Sequence, residues 1–229
     1  MSLPDNDKEF RIEKDSMGDV KVPFNALYQA QTQRAVDNFK FSQHNMPVGF
    51  IKALAHIKQT AALTNAQLGL LEGDIANAIN DAAQSIIDGQ HIEQFPLDVF
   101  QTGSGTSSNM NANEVIATLA SQLLGGDINP NDHVNMGQSS NDVVPTAIQI
   151  SCVMAVEKQL IPALNHLINA LEKKRSEIGA IVKTGRTHLM DAMPVTFDQA
   201  HGGWQYQIDK TKQTHKEARY ADREHTPRG

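Results

Sequence analysis

Several residue classes are scarce in this chain of 229 residues. The single cysteine, Cys152, excludes an internal disulfide and a cysteine-based zinc site, and it suits a reducing compartment. The 20 Lys and Arg against 26 Asp and Glu give a formal net charge of −6, so no basic excess indicates binding to nucleic acid or to an anionic membrane. Aromatic residues make up only 5% of the chain, so the core must come from Ala, Leu, Ile, Val and Met.

Long apolar runs and basic leader segments are also missing. No stretch approaches the ~18 consecutive apolar residues that a membrane span requires. The first nine residues, Met1 to Glu9, are acidic where a secretory or mitochondrial leader would be basic. These absences predict a soluble, cytoplasmic, globular chain.

Helical periodicity extends over most of the sequence and predicts an all-α fold. Two segments, 75–87 and 112–123, place their apolar residues on one helical face, and each is followed by glycine. The apolar positions are Ile75, Ile79, Ala82, Ala83, Ile86 and Ile87 in the first, and Ala112, Val115, Ile116, Leu119, Ala120 and Leu123 in the second. Strand-like alternation is confined to Phe10–Ile12 and Val20–Val22, which predicts one small N-terminal hairpin.

The longest helical tract runs from Asn141 to about Ile178 and suggests a division into two domains. Its first part, from Val143, is apolar on nearly every side, as expected for a helix in a bundle or a subunit interface. Pro162 should kink or split the tract. We therefore predict a helical domain with a hairpin at residues 1–138 and a central helix-bundle domain at 139–229. The segment after about residue 209 lacks Leu, Ile, Val, Met and Phe, so we expect it to be poorly ordered.

A first polar cluster, Thr102 to Asn109, precedes the helix predicted at 112–123. Its glycines allow backbone amides to approach a ligand, its hydroxyls supply donors, and a helix N-terminus faces the same point. These features suit a carboxylate better than a nucleotide, because the lysine of a phosphate-binding loop is absent. The alternative is a loop with Ser and Thr caps, although capping does not explain three Asn among the five residues 109–113.

A second polar cluster combines Asn129 to Asn135 with Gln138 to Asp142. A turn and an N-cap explain one or two of these residues. They do not explain so many polar side chains at the start of an apolar helix, where desolvated groups need partners. A polar ligand would be one such partner.

The third cluster, Gly185 to Leu189, follows an apolar segment. His188 beside Thr187 and Arg186 could act as a general acid–base with an anion holder nearby, or it could be a hydrogen-bonded structural histidine. The nine His show no spacing typical of a metal site, so no metal centre is predicted.

Taken together, the clusters resemble the fumarase/aspartase superfamily, most closely class II fumarases. The resemblance covers roughly Phe10 to Gly203. It includes the segments Glu13–Gly18 and Ala30–Ala35 as well as the three clusters in the same order. His188 and Ser140 are similar to fumarases, whereas aspartases typically have Gln and Thr at these positions.

The resemblance implies an all-helical homotetramer around a shared helix bundle, with active sites that gather segments from three subunits. It implies a cofactor-free and metal-free reversible hydration of fumarate to L-malate, with proton transfer through His188. The implied substrate-binding residues are Ser104, Gly105, Thr106, Asn109, Ser139, Ser140, Asn141 and Thr187. Asn129, Pro130, Asn131 and Asp132 correspond to a second dicarboxylate site.

Departures from the family pattern leave two alternatives open. Asn129 stands where many fumarases have His, a form met in aspartases, which favours an aspartate ammonia-lyase. The family's Gly-Ser-Ser-x-x-Met-Pro-x-Lys-x-Asn loop, with its expected catalytic Ser base and substrate-binding Lys, does not occur in these residues. We therefore expect the N-terminal half of a fumarase, inactive alone, or a dicarboxylate-binding chain without turnover.

Overall fold

The computed structural model describes residues 9–224, with side-chain surroundings described through residue 218. Helices dominate it, which confirms the mainly helical fold class. The chain divides into two compact units, Met1–Ser151 and Cys152–Gly229. This division falls after residue 151, and the domain boundary between residues 138 and 139 stays a prediction.

The first unit begins with the predicted hairpin. Strands β1 (Phe10–Asp15) and β2 (Gly18–Pro23) pair antiparallel. The guanidinium of Arg34, in helix α1 (Ala30–Asn38), donates to both carboxylate oxygens of Asp15 at 2.8 and 2.9 Å. Such a bidentate ion pair fixes orientation as well as distance, so it ties the hairpin to α1.

Three longer helices form the core of the first unit: α2 (Val48–Gln67), α3 (Gly73–Ile87) and α4 (Thr106–Leu124). Most of the predicted apolar faces of α3 and α4 are buried, whereas Leu123 is 63% exposed. The fully or almost fully buried members are Ile79, Ala82, Ala83, Ile86, Ala112, Val115, Ile116 and Ala120. Burying each large aliphatic side chain contributes roughly 1.5–3 kcal/mol, so this core holds the N-terminus of α4 in a fixed place.

Helix α5 (Ser140–Ala155) starts within the first unit. Its residues Val143 and Ala147 belong to the buried core, so most of this helix belongs to the first unit. Further along, Ile148 is 50% exposed, so the helix leaves part of its apolar surface uncovered in the single chain.

The tract after α5 is irregular close to Pro162, as predicted. A π-helical segment, Val156–Leu160, precedes helix α6 (Ile161–Ile178), whose first turn contains Pro162. Proline lacks a backbone N–H and its ring displaces the carbonyl one turn earlier, so the regular α-helical ladder is interrupted there.

One helical run among the described residues, Ser140–Ile178, is long and apolar enough to cross a membrane by length and composition alone. Its 18-residue window has a mean hydropathy of 1.2, and only 6% of the window is buried. A helix that packs inside a bundle has the same composition, so this property is weak evidence for a membrane span.

The second unit contains a hairpin that the sequence does not predict. Strands β3 (Val182–Thr187) and β4 (Met190–Thr196) pair antiparallel, and the turn residues His188 and Leu189 have φ angles of 47° and 60°. Two left-handed residues in succession are typical of a tight hairpin turn. β3 is mostly polar, so it lacks the alternation of apolar and polar residues from which a strand could be predicted.

Helix α7 (Phe197–Glu224) includes most of the segment that was expected to be poorly ordered. It runs helically past residue 209 to Glu224, and residues 225–229 lie outside the described part of the chain. A helix can be supported without large apolar residues by pairs one turn apart, such as Lys212 with Asp209 at 2.7 Å.

Candidate functional site

The first polar cluster forms a tight turn that starts helix α4. The N–H of Gly105 donates to the carbonyl of Thr102 at 2.9 Å, and Gly105 has a φ of +67°. A Cβ atom at Gly105 would lie 2.9 Å from Cγ1 of Val144, so the turn also packs closely on α5. Glycine is required here for both reasons.

The hydroxyl groups of this turn lie at the surface of the helix N-terminus. Oγ of Ser104 and Oγ1 of Thr106 are 2.8 Å apart, and both residues are exposed. The Gln101 side chain accepts from the N–H of Ser108 at 2.9 Å. The backbone N–H groups of Thr106 and Ser107 lie in the first turn of α4, where no intrahelical acceptor exists. An anion could therefore accept hydrogen bonds from them.

Asn109 joins the first and second clusters. Its side chain is completely buried, and its Nδ2 donates to Oγ of Ser140 at 2.9 Å and to Oδ1 of Asn135 at 3.2 Å. Its Oδ1 is buried with no hydrogen-bond partner in the described part of the chain. Asn109, one of the three asparagines that capping did not explain, therefore fixes the start of α4 against the start of α5.

The second cluster places three candidate side chains at the N-terminus of α5. The N–H of Asn141 donates to Oγ of Ser139 at 3.3 Å, and the N–H of Asp142 donates to the backbone carbonyl of Ser139 at 3.0 Å. Ser139 and Asn141 are exposed, whereas Ser140 is half-buried against Asn109. Two helix N-termini with exposed hydroxyl and amide groups therefore lie side by side.

Lys58 of α2 contacts the residues just before α5, and the sequence analysis did not predict it as a site residue. It is completely buried, and its Nζ donates to Oδ1 of Asn135 at 2.9 Å and to Oε1 of Gln138 at 2.8 Å. Burial lowers the pKa of Lys58 from 10.5 to about 7. A lysine on the apolar face of α2, between Leu54 and Ala62, was the available sequence signal.

Glu114 is a second buried ionisable group in α4. Its carboxylate accepts from the backbone N–H groups of Gln29, Gln31 and Thr32 at 2.8, 2.9 and 3.1 Å. Burial raises the pKa of Glu114, and the hydrogen bonds act in the opposite direction. The carboxylate thus caps the N-terminus of α1, which is a structural task.

The segment Asn129 to Asp132 forms a short turn whose first residue is a cap. Oδ1 of Asn129 accepts from the N–H groups of Asn131 and Asp132 at 2.8 and 3.0 Å, and Pro130 occupies the position where no N–H is needed. Asn131 and Asp132 are exposed. The Oδ1 of Asn129 is therefore already hydrogen-bonded to the backbone of the turn that it caps.

A cavity of about 730 Å³ connects this turn with the first cluster. Asn129, Pro130 and Asn131 line it on one side, and Thr102 and Ser107 line it on another. Arg34 also faces the cavity, where its guanidinium is paired with the carboxylate of Asp15, which lines the cavity as well. The two polar segments therefore share one cleft in the first unit.

Thr187 and His188 belong to the second unit, at the β3–β4 turn. Both side chains are exposed, and the neighbouring Leu189 is fully exposed at 104%. The first unit therefore unites Ser104, Gly105, Thr106 and Asn109 with Ser139, Ser140 and Asn141, whereas Thr187 and His188 belong to the hairpin of the second unit. In residues 9–224, no group of three or more His, Cys, Asp or Glu could hold a metal ion.

Known proteins similar to this chain are fumarate hydratases. The class II fumarate hydratase of Xylella fastidiosa (strain Temecula1) is 59% identical over 203 residues, which cover 89% of this chain and 43% of the relative. That of Corynebacterium glutamicum is 52% identical over 202 residues, which cover 88% and 42%. The chain thus spans less than half the length of these relatives.

Solved structures show the same likeness at the level of the fold. A class II fumarase from Schistosoma mansoni aligns with a TM-score of 0.85 at 42% identity, covering 89% of this chain and 44% of that one. A fumarate lyase:delta crystallin from Brucella melitensis in native form aligns with a TM-score of 0.88 at 41% identity, covering 93% and 51%.

The family described as Lyase matches residues 18–226, which is most of the chain. That span contains all three polar clusters, including the hairpin with His188. The chain therefore belongs to this lyase family, within the fumarase/aspartase superfamily.

Proposed function

We propose that this chain carries the dicarboxylate-binding machinery of a fumarate hydratase, which adds water reversibly to fumarate to give L-malate. The observation that supports this most directly is the hydrogen bond from Asn109 to Ser140, 2.9 Å long, which sets two hydroxyl-rich helix N-termini beside each other. A dianion with two carboxylates suits a site that presents two such ends. Relatives named fumarate hydratase class II support the choice of substrate.

The proposed chemistry follows from charge development. Removal of a proton beside a carboxylate gives an aci-carboxylate with extra negative charge, which oriented hydroxyls, amides and helix N-termini stabilise. In this proposal Ser104, Thr106, Ser139, Asn141 and Thr187 hold the carboxylates. Gly105 allows the close turn, and Asn109 with Ser140 keeps the two helix ends in register.

His188 is proposed to transfer a proton through a water molecule. His188 lies in the two-residue turn between β3 and β4 and is exposed, so its imidazole is free to exchange a proton with water. Asn129, Pro130, Asn131 and Asp132 are proposed to form a second dicarboxylate site on the shared cleft.

We also propose a homotetramer in the cytoplasm. The uncovered apolar surface of α5, exemplified by Ile148 at 50% exposure, supports association around a bundle of long helices. The relatives bear the names of metabolic enzymes, which supports the location.

Asn129 favours one alternative, an aspartate ammonia-lyase. In the structure this side chain caps its own turn. This structural role is compatible with an enzyme that acts on fumarate and with one that acts on aspartate. A comparison of substrates separates the two functions. Ultraviolet loss of fumarate reports hydration, and ammonia release from aspartate reports the lyase.

The test combines the 229-residue chain with the remaining segment of the Xylella fastidiosa relative, co-expressed in a host without its own fumarase. We expect fumarate hydration from the combination and negligible hydration from the chain alone, because residues 1–229 lack the Ser/Lys loop. The matched control replaces His188 by Asn in the combination. Ammonia release from aspartate without fumarate hydration would contradict the proposal.

A further inference from the structure

Lys58 is a buried cation whose two hydrogen-bond acceptors are neutral amides. Its Nζ lies 2.9 Å from Oδ1 of Asn135 and 2.8 Å from Oε1 of Gln138. Its side chain is completely removed from solvent. Desolvating an ammonium group costs free energy that amide oxygens offset only in part, so a chain built for stability alone would favour an apolar residue here.

The acceptors connect Lys58 to the candidate site by a continuous path. Oδ1 of Asn135 also accepts from Nδ2 of Asn109, which in turn donates to Oγ of Ser140. Gln138, the second acceptor, directly precedes Ser139 in the chain. The ammonium therefore fixes the backbone just before α5 and lies behind the side chains expected to hold a carboxylate.

We propose that Lys58 is a positioning residue of the dicarboxylate site: its buried ammonium holds Asn135 and Gln138 in place and supplies the positive charge that balances a bound dianion. This inference rests on the proposed function and adds a group outside the three sequence clusters. The helix ends would act on the ligand from the surface, whereas Lys58 acts from the core.

The balance of charge predicts that binding is coupled to proton uptake. Burial leaves the ammonium with a pKa of about 7, and a nearby dianion would raise the pKa of Lys58. Near pH 8 the free amine is mostly neutral, so binding should draw in a proton. Near pH 6 it is already charged, so uptake should vanish.

Other titratable groups occur on the elements that pack against α2. The acidic residues of α3 are exposed, and Glu114 of α4 is engaged with the N-terminus of α1. The turn before Val134 carries an acidic residue and a histidine that accepts from a backbone N–H. These groups are Asp74, Asp81, Glu114, Asp132 and His133. Burial is the cause of the shift at Lys58, and none of them contributes to it.

The experiment is calorimetric titration of the 229-residue chain with fumarate, in buffers of different ionisation enthalpy near pH 6 and pH 8. Lys58→Gln keeps an amide donor and removes the charge, and Lys52→Gln makes the same change on the same helix at a half-buried position. We expect Lys58→Gln to weaken binding about tenfold near pH 6 and to abolish proton uptake near pH 8. Lys52→Gln should change neither.

Each other outcome has a distinct meaning. Fumarate binding that is equal in the wild type and Lys58→Gln, at both pH values, overturns the role of Lys58 and leaves the proposed function intact. Absence of binding by the wild type overturns the proposed function itself. If Lys58→Gln does not fold, the wild-type measurement decides, because binding without proton uptake near pH 8 contradicts the inference.

Discussion

Replacing Asn109 by Ala tests the junction between the two helix N-termini. The substitution removes the hydrogen bonds to Ser140 at 2.9 Å and to Asn135 at 3.2 Å. Each such bond contributes about 1 kcal/mol net. Asn113 offers a matched control on the same helix: it is equally buried, its Oδ1 also has no partner among the described residues, and its Nδ2 has only the Sδ of Met110 at 3.4 Å.

The same amide group is removed from a completely buried position in both variants, so the comparison isolates the difference in hydrogen bonding. We expect Asn109→Ala to lower the free energy of unfolding by roughly 2 kcal/mol more than Asn113→Ala does. Urea denaturation followed by far-ultraviolet circular dichroism measures both, provided that the m-values agree. Equal losses in the two variants would refute the idea that Asn109 holds the site together through its hydrogen bonds.

Three further predictions follow from other contacts. Gly105→Ala should destabilise the first unit by about 1–3 kcal/mol in the same urea experiment, because of its φ of +67° and a Cβ 2.9 Å from Val144; an unchanged midpoint would contradict this. Arg34 lowers the pKa of Asp15, so their ion pair should add stability above about pH 4 and lose it as pH falls through the lowered pKa. Asp15→Asn should therefore weaken the acid dependence of the unfolding midpoint, and an unaltered pH profile would count against the pair. His188→Asn should lower kcat of the combined enzyme by roughly 100-fold with little change in melting temperature, whereas a lower melting temperature at unchanged kcat would make His188 structural.

Much of the fold could be predicted because local pattern and tertiary packing agree. The apolar faces of α3 and α4 repeat with the helical period, and the core buries most of them. The β1–β2 hairpin has alternation and a glycine at its turn. Leu123 departs from its predicted face because it lies in the last turn of α4, beyond the core.

The β3–β4 hairpin and the helical conformation of α7 past residue 209 could not be predicted by the same means. β3 reads Val-Lys-Thr-Gly-Arg-Thr, and its strand conformation depends on pairing with β4 rather than on an apolar face. The part of α7 after residue 208 lacks Leu, Ile, Val, Met and Phe, and the ion pair of Lys212 with Asp209 supports the helix there. The contact of Arg175 with Asp198 at 2.8 Å fixes the start of α7. The contact between Arg175 and Asp198 joins residues 23 positions apart and leaves no periodic signal in the sequence.

Part of the candidate site could likewise be predicted from local sequence, and part of it could not. Clusters of hydroxyls and amides beside glycines were visible as segments, because each is short and contiguous. Their union through Asn109 and the presence of Lys58 were not visible, because the partners are 26 to 80 residues apart in sequence. Long-range partners of a buried polar group depend on tertiary structure, which pattern reasoning on one sequence does not supply.

Amide chemical-shift mapping during titration with fumarate tests the central claim most directly. We predict saturable shifts at the N–H groups of Thr106, Ser107 and Asn141, which lie at the two helix N-termini, and the loss of these shifts in Asn109→Ala but not in Asn113→Ala. A titration that leaves these amides unmoved, or that shifts only residues remote from both helix ends, would contradict a dicarboxylate site at the junction of α4 and α5.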